Sequence, residues 1–64
     1  MTLDEARAAL QGDDAAARVV YAPRPGETQE GVITEVRGYF VFVRYDGDDF
    51  SKATRPEDLS LADG

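Results

Sequence analysis

Few side chains in this sequence could carry covalent or acid–base chemistry. Its 64 residues include no His and no Cys, which removes the usual general base, the usual thiolate nucleophile and the commonest metal ligand. Ser51 and Ser60 offer hydroxyls, but neither has a base beside it in sequence. Asp46-Gly47-Asp48-Asp49 concentrates carboxylates as a calcium loop does. The spacing is wrong for the calcium loop of an EF-hand, which needs acids at alternate positions and a distal Glu. Asp and Gly at this density read as a solvated turn, and nothing points to a pair of carboxylates sharing acid and base work. An enzyme is therefore the weakest class, and no cofactor or metal is expected.

What remains is recognition chemistry. Phe40, Phe42, Tyr45 and Phe50 are more aromatic side chains than so small a core needs, and a surplus of this kind suggests a contact surface. Charge narrows the partner. The formal net charge is −6, from 13 acidic and 7 basic side chains, so the phosphates of nucleic acid would be repelled in general. A local basic patch of Arg24, Arg37, Arg44 and Arg55 would form if the fold gathers them. Glu27, Glu30, Glu35 and the acidic turn, interleaved with these arginines, would cancel most of it.

The elements that position these groups centre on Gly31 to Tyr45, the one stretch dense enough in β-branched and aromatic residues to make the middle of a sheet. Arg37-Gly38 divides it into two strands, as a two-residue turn or as the centre of a four-residue loop, which keeps the same facing. A turn there sets Val36 opposite Tyr39, Thr34 opposite Val41 and Val32 opposite Val43 on one face, with Glu35 opposite Phe40 and Ile33 opposite Phe42 on the other. The second strand is apolar on both faces, so something must cover Phe40 and Phe42, or they bind a partner.

Thr2-Leu3-Asp4-Glu5 is a capping-box signature opening a short helix, residues 1–12, with Gly12 as its stop. Leu3, Ala6 and Leu10 share one helical face. A helix this short is unstable alone, so it is expected to pack on the outside of the sheet at Phe40 and Phe42, or to mediate a homodimer. Residues 13–17 read as a linker or a continuation of the helix, since Ala15, Ala16 and Ala17 permit either. Arg18 to Tyr21 is a first strand with Val19 and Tyr21 on one face. The prolines and the Pro-Gly pair of residues 22 to 29 predict an irregular loop, a place where recognition residues often sit. Phe50 to Thr54 is a fourth strand, with Lys52 guarding an edge. Arg55 to Asp58 fits one helical turn with Pro near its start, Leu59 to Leu61 a last strand, and residues 62–64 a frayed tail.

A chain this short is one domain and buries only about 60% of its unfolded surface. Without disulfides it must gain stability from a compact barrel or from a partner. No stretch approaches the roughly 20 apolar residues needed to span a bilayer, and no signal peptide is visible. The expectation is a cytoplasmic protein with no membrane partner, or one held inside a particle.

The resulting order is strand, Pro-Gly loop, strand, tight turn, strand, acidic turn, strand, helical turn, strand. Gly-Val-Ile-x-x-Val (Gly31 to Val36), Val-x-Val-x-Tyr-Asp-Gly (Val41 to Gly47) and Pro-Glu-Asp-Leu-x-Leu (Pro56 to Leu61) together resemble an SH3-like barrel of the Tudor and KOW type. The resemblance covers residues 18–61 and implies a mainly β fold: a small five-stranded SH3-like barrel preceded by a short N-terminal α-helix. The whole chain also resembles short uncharacterised proteins of actinobacterial phages and prophages, which implies the host cytoplasm as its location.

Tudor readers hold methylated Lys or Arg in an aromatic cage. The resemblance carries Tyr45 and Tyr21 into two cage positions. Asp48 stands where another aromatic is expected, so half a cage remains. KOW-like barrels contact RNA or RNA polymerase, which would use the arginines. The candidate binding residues are accordingly Tyr21, Arg24, Tyr45, Asp48 and Phe50, with Leu3, Leu10, Phe40 and Phe42 as the helix–sheet or partner contact. The functional expectation is a small non-enzymatic protein-interaction module, an adaptor or an inhibitor of a host protein. The alternatives are nucleic-acid or transcription-complex binding by the barrel, and a small structural or virion component.

Overall fold

The Thr2 side chain accepts from the Glu5 backbone N–H at 3.1 Å, and the Glu5 carboxylate accepts from the Thr2 N–H at 2.8 Å. This capping box opens α1, Leu3–Leu10. The computed structural model describes residues 1–12 and 17–62; most of the expected linker and the last two residues of the expected tail lie outside them. Five strands follow: β1 (Arg18–Arg24), β2 (Glu27–Arg37), β3 (Phe40–Tyr45), β4 (Lys52–Thr54) and β5 (Leu59–Leu61). A 3₁₀ turn, Pro56–Asp58, separates the last two. The fold is mainly β, one antiparallel sheet in the order β4-β3-β2-β1-β5 with a single short helix.

The expected loop at residues 22 to 29 is instead a continuous hairpin. β1 runs to Arg24, Arg24 pairs with Glu27, and Pro25-Gly26 forms the turn. Gly26 has φ +85°, so Pro then Gly occupy the two central positions as a type II turn requires. Pro23 is tolerated inside β1 because it falls in the register shift between Tyr21 and Arg24, where a missing N–H breaks no regular ladder.

The second hairpin turns at Gly38-Tyr39, not at Arg37-Gly38. Arg37 pairs with Phe40 and Val36 with Val41. Gly38 takes the positive φ, +59°, at the first central position, which suits a II′ hairpin turn. A second departure lies in β2, where the register shifts between Ile33 and Glu35. Thr34 bulges out, and Ile33 pairs with Val43, not with Phe42 as the unbroken alternation predicts. The physical reason is the side chain at residue 34: regular pairing would set a hydroxyl against Val41 and Val43. The bulge exposes Thr34 and turns Ile33 into the core instead. Two residues earlier, Gly31 passes so close to β3 that a Cβ there would lie 2.7 Å from the Arg44 carbonyl oxygen and 2.7 Å from Val43 Cγ1.

The inner face of the sheet collects Val19, Ile33, Val41, Val43, Tyr45 and Leu59, and α1 adds Ala6 and Ala9 to the same buried cluster. Leu3 and Leu10 flank it, partly buried. This corrects the expected position of the helix. It packs on the Val41 and Val43 face, while Phe40 and Phe42, alternating with them along β3, point the other way. Two alanines one turn apart allow the close approach, and the sheet's β-branched side chains supply the complementary surface. The Met1 nitrogen donates to the Pro56 carbonyl at 2.8 Å and to the Leu59 carbonyl at 2.6 Å, tying the start of the helix to the 3₁₀ turn. β4 is shorter than expected, with Phe50 and Ser51 outside it.

Candidate functional site

With the helix on the inner face, no described element covers the outer face of β2, β3 and β4. Strand pairing fixes who stands beside whom, because opposed residues point the same way. Arg37 is opposite Phe40; Glu35 and Ala53 flank Phe42; Val32 is opposite Arg44. The Val41–Thr54 pair places Arg55, which continues in extended backbone (φ −71°, ψ 133°), alongside Phe40. Phe40 is 44% exposed, Phe42 is half-buried and Ala53 is exposed.

Three features shape this face. The Arg37 guanidinium lies 5.6 Å from the Phe42 ring centroid, a cation–π distance, while its Nε contacts Glu35 Oε2 at 2.6 Å. Phe40 meets Tyr39 edge to face at 6.2 Å. Ala53, opposite Phe42 on β4, adds no more than a methyl group beside the ring. Next to it, the Thr34 and Ser51 hydroxyls lie 2.6 Å apart, so Ser51 faces another hydroxyl and not a base.

The residues carried over from the resemblance sit elsewhere. Tyr21 and Tyr45 do come together, with ring centroids 5.8 Å apart and tilted by 59°. They meet on the inner face, where Tyr45 is 5% exposed and its hydroxyl is 2.7 Å from Thr54 Oγ1. Burial raises the Tyr45 phenol pKa, and the Thr54 bond lowers it in part. The pair is core packing, with no open cage between the rings. Arg24 lies at the end of the first hairpin, 3.8 Å from Glu27. Asp48 pairs with Lys52 at 3.3 Å. Asp46 accepts from Arg18 at 2.9 Å, a bond that raises the Arg18 pKa. Phe50 is 81% exposed, just ahead of β4. Of the four arginines weighed as a patch, Arg37, Arg44 and Arg55 share the outer face and Arg24 does not.

Sequence reasoning missed Ala53. A small residue in a short edge strand carries no signal until the pairing puts it beside Phe42. A groove of about 420 Å³ also runs between the start of α1 and the second hairpin turn, lined by Leu3, Arg7, Tyr39, Pro56 and Glu57. The Tyr39 hydroxyl donates to Glu57 at 3.2 Å along its side. No described helix is long and apolar enough to cross a membrane. Comparison with protein-family models, with curated proteins and with solved structures finds no match for this chain.

Proposed function

We propose that this chain is a small non-enzymatic protein-interaction module, an adaptor or an inhibitor, built as an SH3-like barrel plugged by its N-terminal helix. The order of the five antiparallel strands, with a 3₁₀ turn between the last two, supports the barrel reading. The observation that carries the functional reading is the outer face: Phe40 and Phe42 remain accessible although the chain has its own helix to cover apolar surface. That helix is spent on the opposite side. Exposed aromatics on a sheet face are costly to keep without a use, and buried aromatic anchors are the residues that dominate protein interfaces.

The test is an affinity pull-down from lysate of the source cell, with nuclease-treated and untreated halves. The wild type and a Phe40→Ala/Phe42→Ala variant are run side by side. The reading expects a protein retained in both halves by the wild type and lost with the variant, whose circular dichroism stays unchanged. Recovery in the untreated half alone makes nucleic acid the bridge and overturns it. Equal recovery by both baits moves the interaction off this face.

A further inference from the structure

The charges around the two phenylalanines run against those of the chain as a whole. The chain carries −6, yet the rows holding Phe40, Phe42 and Arg44 bring together Arg18, Arg37, Arg44 and Arg55 against Glu35 and the Asp46 that Arg18 holds. Four positive groups against two negative leave that face at +2. Glu35 is already paired with Arg37. Among the described residues, neither Arg44 nor Arg55 has a carboxylate within salt-bridge distance, whereas Arg7, Arg18, Arg24, Arg37 and Lys52 each have one. Acids are abundant on this chain, so cations kept apart from them mark a surface shaped for an external anion.

Three occupants carry negative charge. A nucleic-acid strand would stack bases on the phenylalanines, but its many phosphates would meet a chain of net charge −6. A second copy meeting this face through a two-fold axis would set arginines against arginines. A protein segment with few carboxylates avoids both costs. Residues 40, 42 and 44 repeat along β3 at about 6.8 Å, two residues of extended chain. An extended peptide lying along the strand has the same repeat.

We propose, resting on the interaction-module reading, that the outer face binds an extended acidic segment of a partner protein with the pattern acid–x–apolar–x–acid. The apolar side chain lies on Phe42 in the space that Ala53 leaves. One carboxylate meets Arg44 and the other meets Arg55 beside Phe40. Arg37, held by Glu35, packs against the apolar side chain.

A displayed library of random peptides, selected on the intact chain, tests this. The wild type is expected to enrich peptides with acids flanking an apolar residue at alternate positions, with binding that weakens as salt rises. Arg44→Glu/Arg55→Glu is expected to weaken a selected peptide about tenfold or more and, as the selection target, to enrich Lys and Arg at the same positions. Arg7→Glu/Arg24→Glu makes the same change in net charge off the face and is expected to leave binding intact. Enrichment without acids, or equal losses in both charge variants, overturns the acidic pattern while leaving the interaction-module reading in place. So does failure to enrich any peptide when the pull-down retains a protein. Binding of a single-stranded oligonucleotide that is lost with Arg44→Glu/Arg55→Glu overturns the pattern and the reading together.

Discussion

The Tyr45 hydroxyl lies 2.7 Å from Thr54 Oγ1 inside the sheet. Thr54 is paired with Val41, four residues from Tyr45 along β3, so the ring runs along the inner face past Val43 to reach it. Thr54 Oγ1 in turn donates to the Lys52 carbonyl at 3.4 Å. A short chain of bonds thus ties the three-residue edge strand to the core. Thr54→Val leaves the buried phenol unpaired, and Tyr45→Phe leaves Thr54 only its long bond to the Lys52 carbonyl. Tyr45→Phe or Thr54→Val alone is expected to cost about 1 kcal/mol, read as a fall in Tm of about 4–8 °C for a domain of this size. The double variant is expected to lose less than the sum, as a double-mutant cycle of thermal melts would show.

Tyr45 also gives the protein an alkaline limit. Burial favours its neutral form and raises its folded pKa. Its contribution is fully present below the unfolded phenol value and is lost as pH rises through the raised folded one. Tyr45→Phe is expected to flatten this part of the Tm-against-pH curve above the ordinary tyrosine range.

The capping box sets an acid limit of opposite sign. Bonds from the Thr2 backbone N–H, and secondarily from its side chain, lower the Glu5 pKa. That contribution is present above the ordinary glutamate value and is lost as pH falls through the depressed folded one. Glu5→Gln keeps an acceptor for the Thr2 N–H but cannot titrate, so its helical circular dichroism is expected to fall less steeply in acid. Thr2→Ala, by contrast, is expected to cost about 1 kcal/mol at neutral pH.

Gly31→Ala separates a backbone-contact role from a merely flexible one. Its new Cβ would press on the Arg44 carbonyl and on Val43 at 2.7 Å, and β3 backbone cannot yield as a side-chain tip can. The expected cost is about 1–3 kcal/mol, measured by urea denaturation. Gly47 has open space around it but φ +90°, so Gly47→Ala is expected to cost about 1–2 kcal/mol through backbone strain alone.

Phe42→Ala distinguishes contact surface from core. A fully buried phenylalanine costs about 3–5 kcal/mol on truncation. On the half-buried outer face the expected loss is well below that, with binding abolished. Val43→Asp places a charge in the buried cluster and is expected to unfold the chain. Equal thermal losses for the two variants would return Phe42 to the core.

The capping box, the density of Gly31 to Tyr45 and the Pro-Glu-Asp turn were legible because each depends on neighbours in sequence. The bulge at Thr34 was not. Period-two alternation assumes unbroken pairing, and one extra residue reverses every facing beyond it. The side on which the helix packs was hidden for a related reason: Ala9, part of its buried face, has no bulk to announce itself. The outer face needed three strands in register before Arg44, Arg55 and Ala53 could be seen around the phenylalanines.

The pairing of β1 with β5 bears on the order in which the chain folds. β1 to β4 form a run of hairpins between sequence neighbours, and these close quickly because each loop is short. β5 has to return to β1 across everything between them, and the Met1 nitrogen bonds to the Leu59 carbonyl over the widest separation among the described residues. Such long-range closure carries a larger entropic cost and comes late. Until it forms, Val19 and Tyr21 lack their neighbours on that side, so the unlatched meander is the state most exposed to capture by another chain.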